Sequence, residues 1–312
     1  MHLIHTANQL NAGNRKVCLA IGFFDGVHLG HQQIIRQTIT DARKHGALAL
    51  VITFDHHPNT IVAPARVPPL IYSLPQKLRT IESLGPDAAL LVHFDKTFSQ
   101  KTGEAFIREL AGAWSGIQSI CVGANFAFGY RRSGNVDLLK KLGNELKFSV
   151  HGMAAVSLDG EPVSSTRIRD AIRVGDLDAA SQMLGRAYSI AGPVIEGDKL
   201  GRQLGFPTAN LDTVGLGLPP SGVYAIHAIV RGKTHRAVLN IGTRPTLGNP
   251  NPPLRVEAHL LDFQGELYGE ELEIVFAEKL RDEQKFPSLD ALKAQIVRDV
   301  AKARSRFQSA KS

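Results

Sequence analysis

The stretch Ile21-Gly22-Phe23-Phe24-Asp25-Gly26-Val27-His28-Leu29-Gly30-His31 decides how the first half of the chain is read. The apolar run Val17 to Ile21 enters it as a buried strand. The segment beginning near Gly30 leaves it with Ile34, Ile35, Thr38, Ile39 and Ala42 at helical spacing. A strand, a glycine-bearing turn and a helix in succession offer backbone N–H groups and a helix N-terminus to an anion. His28 and His31, three residues apart, face one side of the first turn. Neutral or cationic, they can donate hydrogen bonds to phosphate oxygens. On the two histidines alone, a packed surface pair or half of a metal site stays open. The glycines at 22, 26 and 30 are harder to explain by packing. A zinc-protease pattern requires a glutamate beside the first histidine, and Leu29 stands there.

Outward from this unit, residues 15 to 155 alternate apolar runs with helical stripes. Ala47 to Phe54, Ala88 to Phe94, Ser119 to Gly123 and Lys147 to Met153 read as strands. Leu74, Leu78, Ile81 and Leu84, then Phe106, Ile107 and Leu110, then Val136 to Leu142, read as helices. Near-continuous apolar strands separated by helices predict a parallel, doubly wound α/β sheet, with ligands beyond the carboxyl ends of its strands. The chemistry-bearing loops fall there: after Ile21, at Thr53 to Pro58, and at Gly123 to Gly129. Further on, Ser164, Ser165 and Thr166 open a helix carrying Ile168, Ala171 and Ile172, with Arg167 and Arg169 close behind. Such a run is either an N-cap or a polyphosphate cradle.

From Tyr188 onward the pattern changes to short alternating strands punctuated by glycine and proline, which predicts an antiparallel barrel or sandwich. Val223, Ala225 and Ile229 share a face with His227. That face is expected to point inward, and Leu254, Val256, Ala258 and Leu260 form another inward set, with Arg255, Glu257 and His259 opposite. A last helix starting at Ser288 is expected to bury Leu289, Leu292, Ile296 and Val300. Arg231-Gly232-Lys233-Thr234 is not a P-loop, since His227 occupies the position of the first glycine. Gly215-Leu216-Gly217 runs into Leu218-Pro219-Pro220 and is not a dinucleotide fingerprint.

A chain of 312 residues has room for two domains. Its formal charge of +7 comes without a basic tail, which suits anionic small molecules at least as well as nucleic acid. Cys18 and Cys121 lie in apolar runs and form no CxxC pair, so they read as buried thiols in a reducing compartment. The N-terminus has no signal-peptide pattern, and no stretch approaches the ~20 apolar residues of a membrane span. The expectation is a soluble cytoplasmic protein that binds neither membrane nor nucleic acid, as a monomer or weak homo-oligomer.

Gly22 to His31 resembles the HxGH signature of nucleotidylyltransferases. In its extended form it resembles that of the bacterial bifunctional riboflavin kinase/FMN adenylyltransferases, or FAD synthetases. Ser164-Ser165-Thr166-Arg167-Ile168-Arg169 resembles the SSTxxR motif of that family. Gly192 to Asn210 is similar to its kinase signature, Val256 to Gly269 to its glutamate-bearing stretch, and Asn240 to Thr246 and Leu280 to Phe286 fit as well. The resemblance spans about residues 17 to 307. It implies a Rossmann-like nucleotidylyltransferase domain at 1–186, then an antiparallel β-barrel riboflavin kinase domain with a C-terminal helix at 187–312. It further implies that ATP phosphorylates riboflavin to FMN, and that a second ATP adenylylates FMN to FAD with release of pyrophosphate.

By that resemblance, His28 and His31 stabilise the adenylyl transition state, and Gly22, Phe23, Asp25 and Gly26 line the ATP loop. Ser164, Ser165, Thr166 and Arg169 hold the departing pyrophosphate, and Asn125 and Phe128 meet FMN. In the kinase half, Glu257 is the general base. Gly197, Gly201, Arg202, Pro207, Thr208 and Asn210 form the ATP flap, with Thr208 and Asn210 as Mg²⁺ ligands, and Arg281 lies near the flavin. Three positions depart from the family pattern. His56 replaces a proline, and Asn125 and Ala127 stand for an aspartate and an arginine, with Arg131 and Arg132 near enough to restore a charge. These departures leave open a second reading, a riboflavin kinase with an altered or inactive adenylyltransferase half.

Overall fold

The computed structural model describes residues 1–198, 200–243 and 254–309. Lys199, in the kinase signature, and Arg244, Pro245 and Thr246, in the stretch after Asn240, lie outside them. The chain divides into two compact units, Met1–Pro69 with Leu74–Ser165, and Leu70–Ser73 with Thr166 onward.

The first unit is built on a six-stranded parallel sheet. Its strands are β1 (His2–Ile4), β2 (Val17–Ile21), β3 (Leu48–Phe54), β4 (Ala88–Val92), β5 (Ile117–Gly123) and β6 (Ser149–Met153), in the order β1-β4-β3-β2-β5-β6. Chain direction across the sheet reverses between β2 and β5, which makes the carboxyl end of β2 the switch point of a doubly wound fold. Successive residues of β2 serve opposite faces. Cys18 and Ala20 pack with Ile34, Ile35 and Ile39 of helix α1 (Leu29–His45) and Ile81 of α2 (Leu74–Glu82). Val17, Leu19 and Ile21 pack with Phe106, Ile107 and Leu110 of α3 (Gly103–Ala113) and Leu139 and Leu142 of α4 (Val136–Leu146). Both thiols are buried and unpaired in disulfides. The edge strand β1, paired to β4 from His2 against Ala88, was not anticipated; three residues carry too little pattern to be read.

From Thr166 the second unit takes in the rest of α5 (Ser165–Val174), whose Ile168 and Ile172 are buried, and α6 (Leu177–Leu184). A closed antiparallel barrel follows. Its strands are β7 (Ser189–Ile195), β8 (Ala209–Leu211), β9 (Gly222–Val230), β10 (Lys233–Thr243), β11 (Leu254–Leu260) and β12 (Glu271–Arg281), in the order β7-β8-β11-β10-β9-β12. A barrel rather than a sandwich removes the edges. Helix α7 (Leu289–Ser309) packs on its outside.

Two expectations about facing require correction. Val223 and Ala225 of β9 do not point inward: they pack with Val238, Leu280, Ala303 and Phe307 beneath α7, and the His227 ring lies 5.0 Å from that of Phe307. The interior set on that strand is Tyr224, Ile226, Ala228 and Val230, so both faces are apolar and alternation could not choose between them. On α7, Leu289 is 58 % exposed. The buried stripe instead runs through Asp299, Ala303 and Phe307, because the helix meets the barrel with its second half. Arg231 and Gly232, at φ 51° and 72°, form the tight turn between β9 and β10, in keeping with the rejected P-loop.

Candidate active sites

The loop after β2 is held in strained backbone. Phe24, Gly26 and Val27 have φ of 54°, 74° and 42°. For the β-branched Val27 this is a genuine outlier, of a kind that persists only where surroundings enforce it, at about 1–3 kcal/mol. The surroundings do so. The Phe23 carbonyl accepts from Thr53 Oγ1 at 3.0 Å and Lys77 Nζ at 3.2 Å. The Val27 carbonyl accepts from Gln32 Nε2 at 3.0 Å, and the Asp25 carbonyl from Ser165 Oγ at 3.1 Å. His28 is the N-cap of α1, its Nδ1 accepting from the His31 N–H at 3.4 Å. That bond leaves the His28 proton on Nε2, as a donor. The two imidazoles stack at 3.6 Å between centroids and 20° between planes, and His31 also meets the edge of Phe24. His28 is buried, with the His31 ring stacked on it. Thr166 and Arg169 follow Ser165 on the first turn of α5.

Beyond β5, Asn125, Phe126, Ala127, Arg132, Asn135 and Lys140 line an open cavity of about 580 Å³. Of the two residues expected to meet FMN, Asn125 is on its wall. Phe128 instead stacks on Phe126 at 5.0 Å and packs toward Phe106. Arg132 and Lys140 supply positive charge there, while Arg131 lies over the Tyr130 ring.

On the outer face of the barrel, three strands bring together residues far apart in sequence. Asn210 of β8 lies opposite Glu257 of β11, and Glu257 lies opposite Asn240 of β10. Directly opposed residues of antiparallel strands share a face, and Thr208, two residues before Asn210, joins them. Thr208, Asn240, Glu257 and Arg281 line a cavity of about 270 Å³ closed by Phe206, Phe286, Leu292 and Ile296. Arg281 is held by Asp299 of α7 through both carboxylate oxygens, Nε at 3.0 and 3.1 Å and Nη2 at 2.8 Å. Arg255 pairs with Asp198. His259 Nδ1 donates to the Pro207 carbonyl at 2.8 Å, fixing the turn before Thr208. Arg202 and Pro207 line a neighbouring recess with Thr208.

The glycines of this segment permit close approach. A Cβ on Gly197 would lie 2.2 Å from Asn210 Nδ2, and one on Gly201 2.4 Å from the Phe206 carbonyl and 3.2 Å from Thr208 Oγ1. Thr208 lines the cavity described above, and Asn210 lines an adjoining one with Gly197, Asp198 and Arg255; their neutral oxygens are of the kind that suits a hard cation taking few protein ligands beside phosphate and water.

A family model described as FAD synthetase matches residues 10–167, and one described as riboflavin kinase matches 184–307. The bifunctional riboflavin kinase/FMN adenylyltransferase of Pseudomonas fluorescens is 38% identical over 305 residues, 98% of this chain and 97% of that protein. The protein of that name from Escherichia coli (strain K12) is 38% identical over 309 residues, 98% of each chain. The chain belongs to the bifunctional riboflavin kinase/FMN adenylyltransferase family. The relative from Haemophilus influenzae is 36% identical, with 98% of each chain covered. A crystal structure from Streptococcus pneumoniae, described as a macrolide-efflux protein, is similar with a TM-score of 0.81 and 28% identity, covering 97% of this chain and 99% of that one. Among the described residues, no helix is long and apolar enough to cross a membrane.

Within the FAD synthetase region, Lys77 is a residue the sequence reading missed. It is 3% exposed, bonds the Phe54 carbonyl at 2.8 Å as well as that of Phe23, and lies 4.3 Å from the Phe23 ring. Burial pushes its ammonium down to about 8, against the pull of the Asp25 and Asp55 carboxylates. In the riboflavin kinase region, Asp299 was missed likewise, while Asn240 stood in a matching stretch without a role of its own. The available signal for Lys77 and Asp299 is the same. Each is a charged residue on the buried side of an otherwise amphipathic helix.

Proposed function

We propose that the chain makes FAD from riboflavin in two ATP-dependent steps. The kinase half, residues 187–312, converts riboflavin and ATP to FMN and ADP. The adenylyltransferase half, residues 1–186, joins FMN to the adenylyl group of a second ATP and releases pyrophosphate. The observation that carries this reading is the presence of two separately built sites: stacked imidazoles at the switch point of a parallel sheet, and a carboxylate between two asparagines on a barrel.

In the first step Glu257 takes the proton of the ribityl primary hydroxyl as its oxygen attacks the γ-phosphorus and ADP leaves. Arg281, fixed by Asp299, lies against the flavin. Gly197, Gly201, Arg202 and Pro207 shape the turn around the nucleotide, and Thr208 and Asn210 would hold Mg²⁺. When bound, Mg²⁺ neutralises charge on the phosphate oxygens.

In the second step a phosphate oxygen of FMN attacks the α-phosphorus of ATP, and the bond to pyrophosphate breaks. The His28 Nε2–H and His31 donate to the oxygens that gain charge. Gly22, Phe23, Asp25 and Gly26 seat the nucleotide, and Ser164, Ser165, Thr166 and Arg169 receive the pyrophosphate. Asn125 and Phe128 belong to the FMN side, with Asn125 on the cavity wall. No covalent enzyme intermediate is required, so alignment and preorganised donors supply the rate. Arg132 and Lys140 on the wall beside Asn125 favour an active adenylyltransferase over a decayed one. The reading is of a cytoplasmic enzyme acting on small molecules and on neither nucleic acid nor membrane, as a monomer or weak homo-oligomer.

Two variants test it. His28→Ala is expected to abolish FAD formation from FMN and ATP while leaving FMN formation from riboflavin intact. Glu257→Gln is expected to do the reverse. Loss of both activities in either folded variant would overturn the division.

A further inference from the structure

Among the described residues, one cluster of ligating side chains has no part in either step above; it lies in the Thr53–Pro58 loop and includes His56, one of the three departures from the family pattern. β3 and β4 run parallel in register, Phe54 beside Val92, and the residues that follow each strand are thereby brought together. His56 Nδ1 lies 3.0 Å from Oδ1 of Asp55, and His93 Nδ1 lies 2.5 Å from Oδ2 of the same carboxylate. One ligand atom from each of the three residues falls within 4.8 Å of the others. We propose that Asp55, His56 and His93 form a binding site for a divalent transition metal of the zinc class, distinct from the Mg²⁺ that accompanies ATP.

The donor set argues the class. Two imidazole nitrogens and one carboxylate suit zinc, cobalt or nickel, whereas Mg²⁺ and Ca²⁺ favour all-oxygen surroundings. The carboxylate is already fixed. Asp55 Oδ1 accepts from the Phe94 N–H at 3.0 Å, and the Asp55 N–H donates to the Val92 carbonyl at 3.1 Å. Such backbone bonds orient a ligand before the ion arrives.

The side chains of His56 and His93 are 59% and 70% exposed, so their rings can turn to close from the present spacing toward the roughly 3.3 Å edge of a tetrahedral set with bonds of about 2.0–2.1 Å. Three protein ligands leave a fourth position to solvent, as in open zinc sites. The next histidine is not a ligand: His57 Nδ1 accepts the Asn59 N–H at 3.1 Å, and its ring packs on Phe23 at 4.9 Å.

The test uses the full chain without an affinity tag, titrated calorimetrically with Zn²⁺ alone and optically with Co²⁺ alone. One equivalent of each is expected to bind, with visible absorption of four-coordinate cobalt, and millimolar Mg²⁺ is expected not to compete. His56→Ala and His93→Ala should each weaken binding at least tenfold. His5→Ala, at an exposed histidine elsewhere, should leave it unchanged. Melting curves of the exposed-site variants should match the parent. Undiminished binding in the His56→Ala/His93→Ala double variant, displacement by Mg²⁺, or no binding to the parent would overturn the proposal.

Discussion

Replacing Gly201 by alanine puts the geometry of the kinase site under a defined load. The new Cβ would sit 2.4 Å from the Phe206 carbonyl oxygen, where carbon–oxygen contacts of about 3.3 Å are the normal floor, so something must yield by nearly 1 Å. The yielding element cannot be a flexible side-chain end, because the obstacle is backbone. Nor can the turn open without loss, since the Phe206 N–H donates to the Gly201 carbonyl at 2.7 Å. Overpacking of this size costs about 1–3 kcal/mol. The same Cβ would press on Thr208 Oγ1 at 3.2 Å, so the strain falls on one of the two proposed magnesium ligands.

If most of it appears in the transition state, kcat/KM for riboflavin phosphorylation falls roughly 10- to 100-fold. The assay is chromatographic separation of riboflavin, FMN and FAD with fluorescence detection, run once from riboflavin and once from supplied FMN. FAD formation from FMN should be unchanged. Gly112→Ala is the control. That glycine is inside α3 with nothing within 4 Å of the place its new methyl group would occupy, so the change should be neutral or slightly stabilising. A folded Gly201→Ala variant with parental kinase kcat/KM would refute the reasoning.

Other outcomes follow from the same contacts. Asp299→Ala strips Arg281 of its two-oxygen partner on the buried side of α7. It should lower stability by about 3–5 kcal/mol in urea unfolding, with Asp299→Asn intermediate; equal effects would mean that charge is irrelevant there. Lys77 is lowered to about 8 in the fold, so between pH 8 and its unfolded value the unfolded chain binds more protons. Stability attributable to this group should therefore rise with pH through that window, by at most about 3 kcal/mol, and the rise should vanish in Lys77→Met. Cys121, pushed up to about 12 chiefly by burial, and Cys18 should resist alkylation at pH 8 until denaturant is added. Rapid labelling of the native protein would contradict their burial.

The parts of the fold that could be read in sequence are those where one residue pattern has one physical meaning. Unbroken runs such as Val17–Ile21 and Leu48–Phe54 are buried on both faces, and only a covered parallel sheet does that to consecutive strands. β9 defeated the same logic in reverse. Its outer face is covered by α7, so Val223 and Ala225 are as apolar as Tyr224 and Ile226. Motif residues were legible because glycine, histidine and hydroxyl side chains in those orders have few other uses. Lys77 and Asp299 were not, and Asn240 was legible only as part of a matching stretch. Each acts through a partner distant in sequence: Phe23 and Phe54 for Lys77, Glu257 for Asn240, Arg281 for Asp299. Only the folded register reveals those pairs. Phe128 shows the converse, a residue matching its motif whose ring spends its surface on Phe126 and Phe106.

Because Asp299 grips Arg281 from α7 while Leu292 and Ile296 of the same helix wall the cavity, the pocket is finished by an element that lies outside the barrel and follows all of its strands. A chain cut before Leu289 would keep all six strands of the barrel and lose both a wall of that cavity and the anchor of Arg281.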